Sequence, residues 1–124
     1  MKRILTILCV VASVYFAWKH FVRPDAQMAT AEIHSSALVQ LAATVKAEDV
    51  VMYSTTECTY CAQAKGWLNQ NGFAFSECNM SVSSECERQF KSLGADGTPY
   101  LLVRGHPMKN GFDSDEFISL LKKS

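Results

Sequence analysis

Residues 50–61 read VVMYSTTECTYC and decide the fold. The apolar run Val50–Tyr53, bounded by polar residues, is typical of a buried strand. The stretch Cys58–Asn71 follows as a helix, with apolar positions for packing and Gly72 as its C-terminal stop. A helix that connects two strands indicates a right-handed parallel crossover. These residues therefore predict the first half of an α/β domain.

The same alternation continues to the end of the chain. The sequence predicts a strand over 73–79, a helix from Ser83 or Ser84 to Leu93, a hairpin over 100–108 and a helix over 115–122 capped by Asp113 or Ser114. The order β-α-β-α-β-β-α predicts a mixed central sheet flanked by helices. We assign this domain to residues 50–124.

The N-terminal part has a different composition. Four of the twelve basic residues and none of the twelve acidic residues lie in residues 1–24, and the run Ile4–Trp18 carries no charge. A basic start followed by an apolar run is typical of a secretory signal. We expect residues 1–23 to be an uncleaved signal anchor, in preference to a cleaved signal or a helix buried in a soluble domain. The domain would then be membrane-anchored and extracytoplasmic, or periplasmic in a bacterium, with a cleaved secreted form as the alternative.

Between these parts, residues 24–49 are predicted to form a linker. Ile33, Ala37, Leu41 and Val45 recur every four residues, which predicts a short amphipathic helix over about 29–46 that docks on the domain. We find no cluster of Lys and Arg beyond residue 24, and this argues against nucleic acid as a partner.

The two cysteines of residues 58–61 carry the chemistry. With Cys58 at a helix N-terminus, the unpaired backbone N–H groups favour its thiolate. Cys61 lies one turn further on, close enough to form a disulfide with Cys58. We therefore expect Cys58 to attack a substrate disulfide and Cys61 to resolve the product. The adjacent Glu57 opposes the thiolate, so the sign of the net effect on Cys58 stays open.

Two further features of the sequence are candidates for substrate binding and for a structural crosslink. The Thr98-Pro99 turn enters a predicted strand and could offer backbone hydrogen bonds to an extended substrate. Cys78 and Cys86 would form a structural disulfide if their Cα atoms come within ~7 Å, and otherwise would be two buried thiols. A third reading combines them with Cys58 and Cys61 in a zinc site.

Taken in order, Tyr53 to Cys61, Gly72, Thr98-Pro99 and Gly111-Phe112-Asp113 resemble the glutaredoxin branch of the thioredoxin-like family. The resemblance implies a thioredoxin-like fold, dithiol–disulfide exchange at Cys58 and Cys61, and a cis peptide bond before Pro99. It also implies a glutathione-binding groove, with its residues at Tyr60, Thr98, Pro99, Gly111 and Asp113.

From the resemblance we expect no tightly bound cofactor, with glutathione as a co-substrate. The expected partners are disulfide-containing proteins or glutathione, with a thioredoxin-reductase-type donor as an alternative source of electrons. Three positions depart from the family pattern: Thr59 stands where Pro is usual, Thr55 where Lys or Arg is frequent, and Asn110 where a second Gly is frequent. The second function class is a non-enzymatic module that binds a metal or iron–sulfur centre through the same cysteines, and the third is a redox-inert adaptor.

Overall fold

Residues 2–21 and 25–123 are described by a computed structural model. The chain divides into two units, Met1–Ser36 and Ala37–Ser124. The division falls inside a helix and thus differs from the expected segment boundaries. The boundary expected between residues 23 and 24 lies outside the described residues.

The N-terminal unit consists of helix α1, Lys2–Phe21, and the first part of helix α2, Asp25–Ala43. Large apolar side chains of α1 are exposed, from Ile4 at 64% to Trp18 at 69%. Within the described ranges, no helix combines the length and apolar content that crossing a membrane requires. The predicted membrane anchor is not supported.

The second unit contains a four-stranded mixed sheet. Its strands are β1 Val50–Ser54, β2 Ser76–Asn79, β3 Tyr100–Val103 and β4 His106–Met108, in the spatial order β2-β1-β3-β4. β1 pairs with β2 in parallel, whereas β1–β3 and β3–β4 are antiparallel. The predicted parallel crossover and antiparallel hairpin are both confirmed.

Three helices and a short 3-10 helix complete this unit. The 3-10 helix is Ala47–Asp49, and the helices are α3 Thr59–Gln70, α4 Ser84–Ser92 and α5 Ser114–Lys122. The side chain of Ser83 accepts a hydrogen bond from the N–H of Cys86, and Asp113 accepts one from the N–H of Glu116. These two caps satisfy backbone donors that the first turn of each helix leaves free.

The core lies between the central strands and the helices. Its fully buried side chains come from β1, β3 and β4, from α3 and from α5, and include Met52, Leu68, Leu101 and Phe117. The end of α2 and the turn after it contribute to the same core, since Ala42 and Val45 are buried and Leu41 packs against them. Residues 37–49, assigned from sequence to the linker, thus pack with the domain. The side chain of Ile33, at the start of the predicted apolar stripe, lies outside the described residues.

Strand β2 is shorter than predicted. It begins at Ser76 rather than at residue 73. Phe73 is 3% exposed, and its ring stacks on Trp67 with 5.6 Å between centroids. Residues 73–75 therefore serve the packing between α3 and α5 instead of pairing with β1.

Candidate active site

The redox motif lies where β1 leads into α3. Cys58 is the N-cap residue of α3, and its Sγ accepts a hydrogen bond of 3.1 Å from the backbone N–H of Cys61. The two cysteines form a disulfide with 5.2 Å between their Cα atoms. A sulfur at this position faces the donors of the helix N-terminus, which stabilise a thiolate.

Cys58 and Cys61 differ in their exposure to solvent. Cys61 is 1% exposed, whereas Cys58 is only half-buried. A substrate can therefore approach Cys58 more readily than Cys61. This difference accords with Cys58 as the attacking group and Cys61 as the resolving group.

A groove of about 650 Å³ runs beside the motif. It lies between α3, the turn before β3 and the segment before α5. Its lining residues are Tyr60, Gln63, Ala64, Trp67, Gly97, Thr98, Pro99, Lys109, Asn110, Gly111 and Phe112.

Four of the five residues expected in the groove, Tyr60, Thr98, Pro99 and Gly111, line it. The Thr98–Pro99 peptide bond is cis, as the resemblance implies. Asp113 is not among the lining residues. Its carboxylate caps α5 through a 2.8 Å hydrogen bond from the N–H of Glu116.

The groove also contains residues that the sequence analysis missed. Tyr60, Gln63, Ala64 and Trp67 recur at intervals of three or four, and such residues share one face of a helix. This spacing could have identified Gln63 and Trp67. No local pattern marks Lys109, because it belongs to the groove only through the course of the chain between β4 and α5.

Aromatic rings connect the groove to the core. The ring centroid of Trp67 lies 5.3 Å from that of Phe112 and 5.8 Å from that of Phe117. Phe117 is fully buried and lies edge-on to Phe73 at 5.0 Å. The apolar wall of the groove thus rests on side chains of the core.

Lys109 is the charged side chain among the lining residues. It is exposed, and it forms no ion pair or hydrogen bond within the described part of the chain. Thr55, where the resemblance leads one to expect Lys or Arg, lines a different cavity of about 360 Å³ together with Met80 and Phe90. The cation of this groove therefore comes from Lys109.

Ser54, Lys65 and Glu77 form a hydrogen-bonded triad that connects α3 to the sheet. Glu77 of β2 accepts a 2.6 Å hydrogen bond from the buried Ser54 hydroxyl and a 2.8 Å bond from the Lys65 ammonium of α3. Burial by itself would raise the pKa of Glu77, but the hydrogen bonds from Lys65 and Ser54 and the charge of Lys65 together lower it. The ionised form of Glu77 is thus favoured in the folded protein.

Replacing Glu77 with Gln is expected to lower the free energy of unfolding at pH 7 by about 0.5–1 kcal/mol. Because the folded-state pKa of Glu77 is lowered, its ionised form stabilises the fold above the unfolded-state value near 4.5. That contribution is lost as the pH falls through the lowered pKa. Urea unfolding between pH 3 and pH 7 should therefore show that the difference in unfolding free energy between the wild type and Glu77→Gln disappears in acid. The Lys65→Met background serves as control, and an equal cost of Glu77→Gln there would contradict the ion-pair explanation.

The remaining two domain cysteines form a second disulfide. Cys78 of β2 and Cys86 of α4 are bridged, with 5.4 Å between their Cα atoms. In the described ranges, no group of three or more His, Cys, Asp or Glu side chains is arranged to hold a metal. The four cysteines that the zinc hypothesis combines form two separate disulfides in this structure.

Comparisons with known proteins give one family and one fold. A family model described as Glutaredoxin matches residues 50–108, slightly under half of the chain. No curated protein matches significantly by sequence. The match spans the redox motif, the second disulfide and the turn at Pro99.

Solved structures of similar fold include a variant of the thioredoxin-like protein BC3987, with a TM-score of 0.54 and 21% identity over 61% of this chain and 97% of that one. The holo form of glutaredoxin C1 from Populus tremula x tremuloides has a TM-score of 0.50 and 22% identity over 72% and 95%. The buckwheat glutaredoxin–glutathione complex has a TM-score of 0.50 and 19% identity over 74% and 94%. At these identities the likeness shows the fold.

The family match, the fold and the disulfide at the start of α3 lead to one conclusion. Residues 50–108 are similar to glutaredoxins, and the chain is a thiol–disulfide oxidoreductase with a thioredoxin-like fold.

Proposed function

We propose that this oxidoreductase reduces disulfides between glutathione, or a similar peptide, and protein thiols. The thiolate of Cys58 attacks one sulfur of the substrate disulfide and displaces the other as a thiolate. The Cys61 thiol then attacks the Cys58 sulfur, which forms the intramolecular disulfide and releases the second substrate thiol. Two electrons pass to the substrate, and two glutathione molecules restore the dithiol while they become glutathione disulfide.

The observation that carries this proposal is the position of Cys58. It is the half-buried residue of the pair, it accepts the hydrogen bond from the N–H of Cys61, and a peptide-sized groove begins at its neighbour Tyr60. A substrate chain in this groove would pass the Thr98–Pro99 turn. Its cysteine would thereby be held beside Cys58.

Glutathione is the substrate class that we favour because it is a short anionic peptide. Lys109, which has no ion-pair partner among the described residues, offers a cation in the groove, and the apolar wall of Trp67 and Phe112 offers a surface for aliphatic atoms. That the buckwheat neighbour was solved as a glutathione complex is consistent with this choice.

The proposal is tested by comparing electron donors. The purified protein should reduce a glutathionylated peptide when glutathione and glutathione reductase supply electrons, and more slowly with thioredoxin reductase. Faster turnover with thioredoxin reductase would overturn the choice of glutathione. Inactivity with both donors would overturn the proposed reaction.

Replacing Lys109 with Ala is expected to raise the KM for the glutathionylated peptide about two- to fivefold, the range for one solvent-exposed ion pair. The value of kcat should stay unchanged, because the contact is made equally in the bound substrate and in the transition state. Steady-state kinetics at low and high salt measure both quantities. Lys123→Ala, an exposed lysine outside the groove, is the matched control. Equal KM values for the two variants would exclude Lys109 as a substrate contact.

We further propose that the domain works outside the cytoplasm. Support comes from the basic and apolar N-terminal sequence and from the Cys78–Cys86 disulfide, a bond that persists in oxidising compartments. Fractionation of cells that express the full chain, followed by thiol labelling without a reductant, tests this location. Recovery in the cytoplasm with both cysteines reduced would contradict it.

A further inference from the structure

We propose that the loop closed by the Cys78–Cys86 disulfide positions the segment that carries Cys58, with Asn79 and Ser81 as the positioning residues. We call residues 79–85 the crosslinked loop and residues 54–57 the redox loop. The inference rests on the proposed role of Cys58 as the attacking thiolate. The Cys78–Cys86 disulfide would thereby affect the reactivity of the Cys58 thiol.

Three hydrogen bonds connect the two loops. The amide Nδ2 of Asn79 donates to Thr56 Oγ1 over 3.3 Å, and the backbone N–H of Thr56 donates to Ser81 Oγ over 3.0 Å. The N–H of Met80 donates to the carbonyl of Ser54 over 2.9 Å. Thr56 is thus held through both its backbone and its side chain, two residues before Cys58.

The redox loop transmits this constraint to the sulfur over a short distance. The N–H of Cys58 donates to the carbonyl of Thr55 over 3.3 Å, and Cys58 Sγ accepts from Cys61 N–H over 3.1 Å. A thiolate gains from the helix N-terminus only while its sulfur stays close to these donors. Anchoring Thr56 therefore helps to keep Cys58 where its thiolate is stabilised.

The crosslinked loop is in turn ordered by the disulfide and by its own hydrogen bonds. Asn79 Oδ1 accepts from the N–H of Ser81 over 2.9 Å, and the Asn79 carbonyl accepts from the N–H of Ser83 over 3.1 Å. The disulfide connects Cys78, directly before Asn79, to Cys86 in the first turn of α4. Closing a short loop in this way removes many of its alternative conformations.

Apolar packing contributes little to the ordering of the crosslinked loop and of α4. α4 has no buried residue, and its main apolar contact is the half-buried Phe90 against Tyr53 and Tyr100. Because so small an apolar surface holds α4 weakly, the covalent bond fixes its N-terminal end to β2. Without that bond, we expect Asn79 and Ser81 to lose their fixed positions opposite Thr56.

The test uses the full chain in a Cys61→Ser background, in which Cys58 is a free thiol while Cys78–Cys86 stays oxidised without added reductant. The rate of Cys58 alkylation by iodoacetamide is measured from pH 4 to pH 10 by mass spectrometry of the Cys58 peptide, which separates it from Cys9. Three further changes are compared in this background: Asn79→Ala, the pair Cys78→Ser and Cys86→Ser, and the control Ser92→Ala on the far end of α4.

We expect alkylation at neutral pH to slow by roughly three- to tenfold, the effect of losing one or two hydrogen bonds, with the midpoint of the profile moved to higher pH. Asn79→Ala and the disulfide variant should both show this change, and Ser92→Ala should not. A lower melting temperature with an unchanged alkylation profile would show a merely structural disulfide and overturn the proposal. If the disulfide variant fails to fold, Asn79→Ala, which retains the disulfide, decides the question. Since no substrate or donor enters the assay, a failure of the glutathione proposal would leave its result unaffected.

Discussion

Replacing Cys58 with Ser is expected to abolish disulfide reduction, leaving only the rate of uncatalysed exchange. A serine hydroxyl is almost entirely protonated at neutral pH, and the hydrogen bond from the N–H of Cys61 cannot make it a thiolate-like nucleophile. No other cysteine of residues 37–123 can take over, because Cys61 is 1% exposed and Cys78 and Cys86 are bridged to each other. The free thiol of Cys9 lies within α1, where no second cysteine is placed to resolve a mixed disulfide. Turnover of a glutathionylated peptide with glutathione as donor measures the loss.

Cys61→Ser is the matched variant, since it removes one sulfur of the same pair and leaves the backbone donor in place. It should still attack the substrate but fail to resolve the product. A mixed disulfide on Cys58 is therefore expected to accumulate and to be visible by intact mass. Retained turnover in Cys58→Ser, or trapping of substrate on Cys61, would reverse the roles assigned to the two residues.

Local sequence predicted most of the elements that build the site. The apolar run Val50–Tyr53 became the buried strand β1, and Cys58 became the N-cap of α3. Both features depend on neighbouring residues alone, so they can be inferred without knowledge of the fold. The Arg104–Gly105 hairpin is a similar case, because both residues adopt positive φ between two paired strands.

The parts that sequence did not predict depend on competition between distant groups. Phe73 alternates with Phe75 as in a strand, but its ring packs in the core against Trp67 of α3 and against Phe117 of the distant α5. Asp113 caps α5, as one of the two cap residues predicted from sequence, but it is not among the residues that line the groove. Lys109 enters the groove through the course of the chain after β4, which no pattern around residue 109 reveals.

The prediction for the N-terminal segment also went beyond what the structure supports. Its charge and apolar run predicted an anchor, yet in the described ranges no helix meets the requirements for crossing a membrane. Part of the segment assigned to the linker packs with the domain, as the predicted docking of its helix implies. Leu41, Ala42 and Val45 lie in the domain core, because a small domain gains appreciable stability from even one additional apolar turn.

Replacing Phe117 with Ala is expected to destabilise the domain by about 3–5 kcal/mol. The side chain is fully buried and contacts the rings of Trp67, Phe73 and Phe112, so its removal costs both the transfer of a phenyl group and a cavity among three aromatic neighbours. Domains of this size have total stabilities of roughly 5–15 kcal/mol. The loss is therefore a large share of the total, and urea denaturation monitored by circular dichroism should show a strongly lowered midpoint.

The same cavity should also affect catalysis, because Trp67 and Phe112 form the apolar wall of the groove. With Phe117 absent, both rings lose a supporting contact, and the KM for a peptide substrate should rise even under conditions where the variant is folded. Ile118→Ala is the control on the same helix, since Ile118 is only partly buried, whereas Phe117 is fully buried. If Phe117→Ala cost no more stability than Ile118→Ala and left KM unchanged, the groove wall would not depend on the core beneath it.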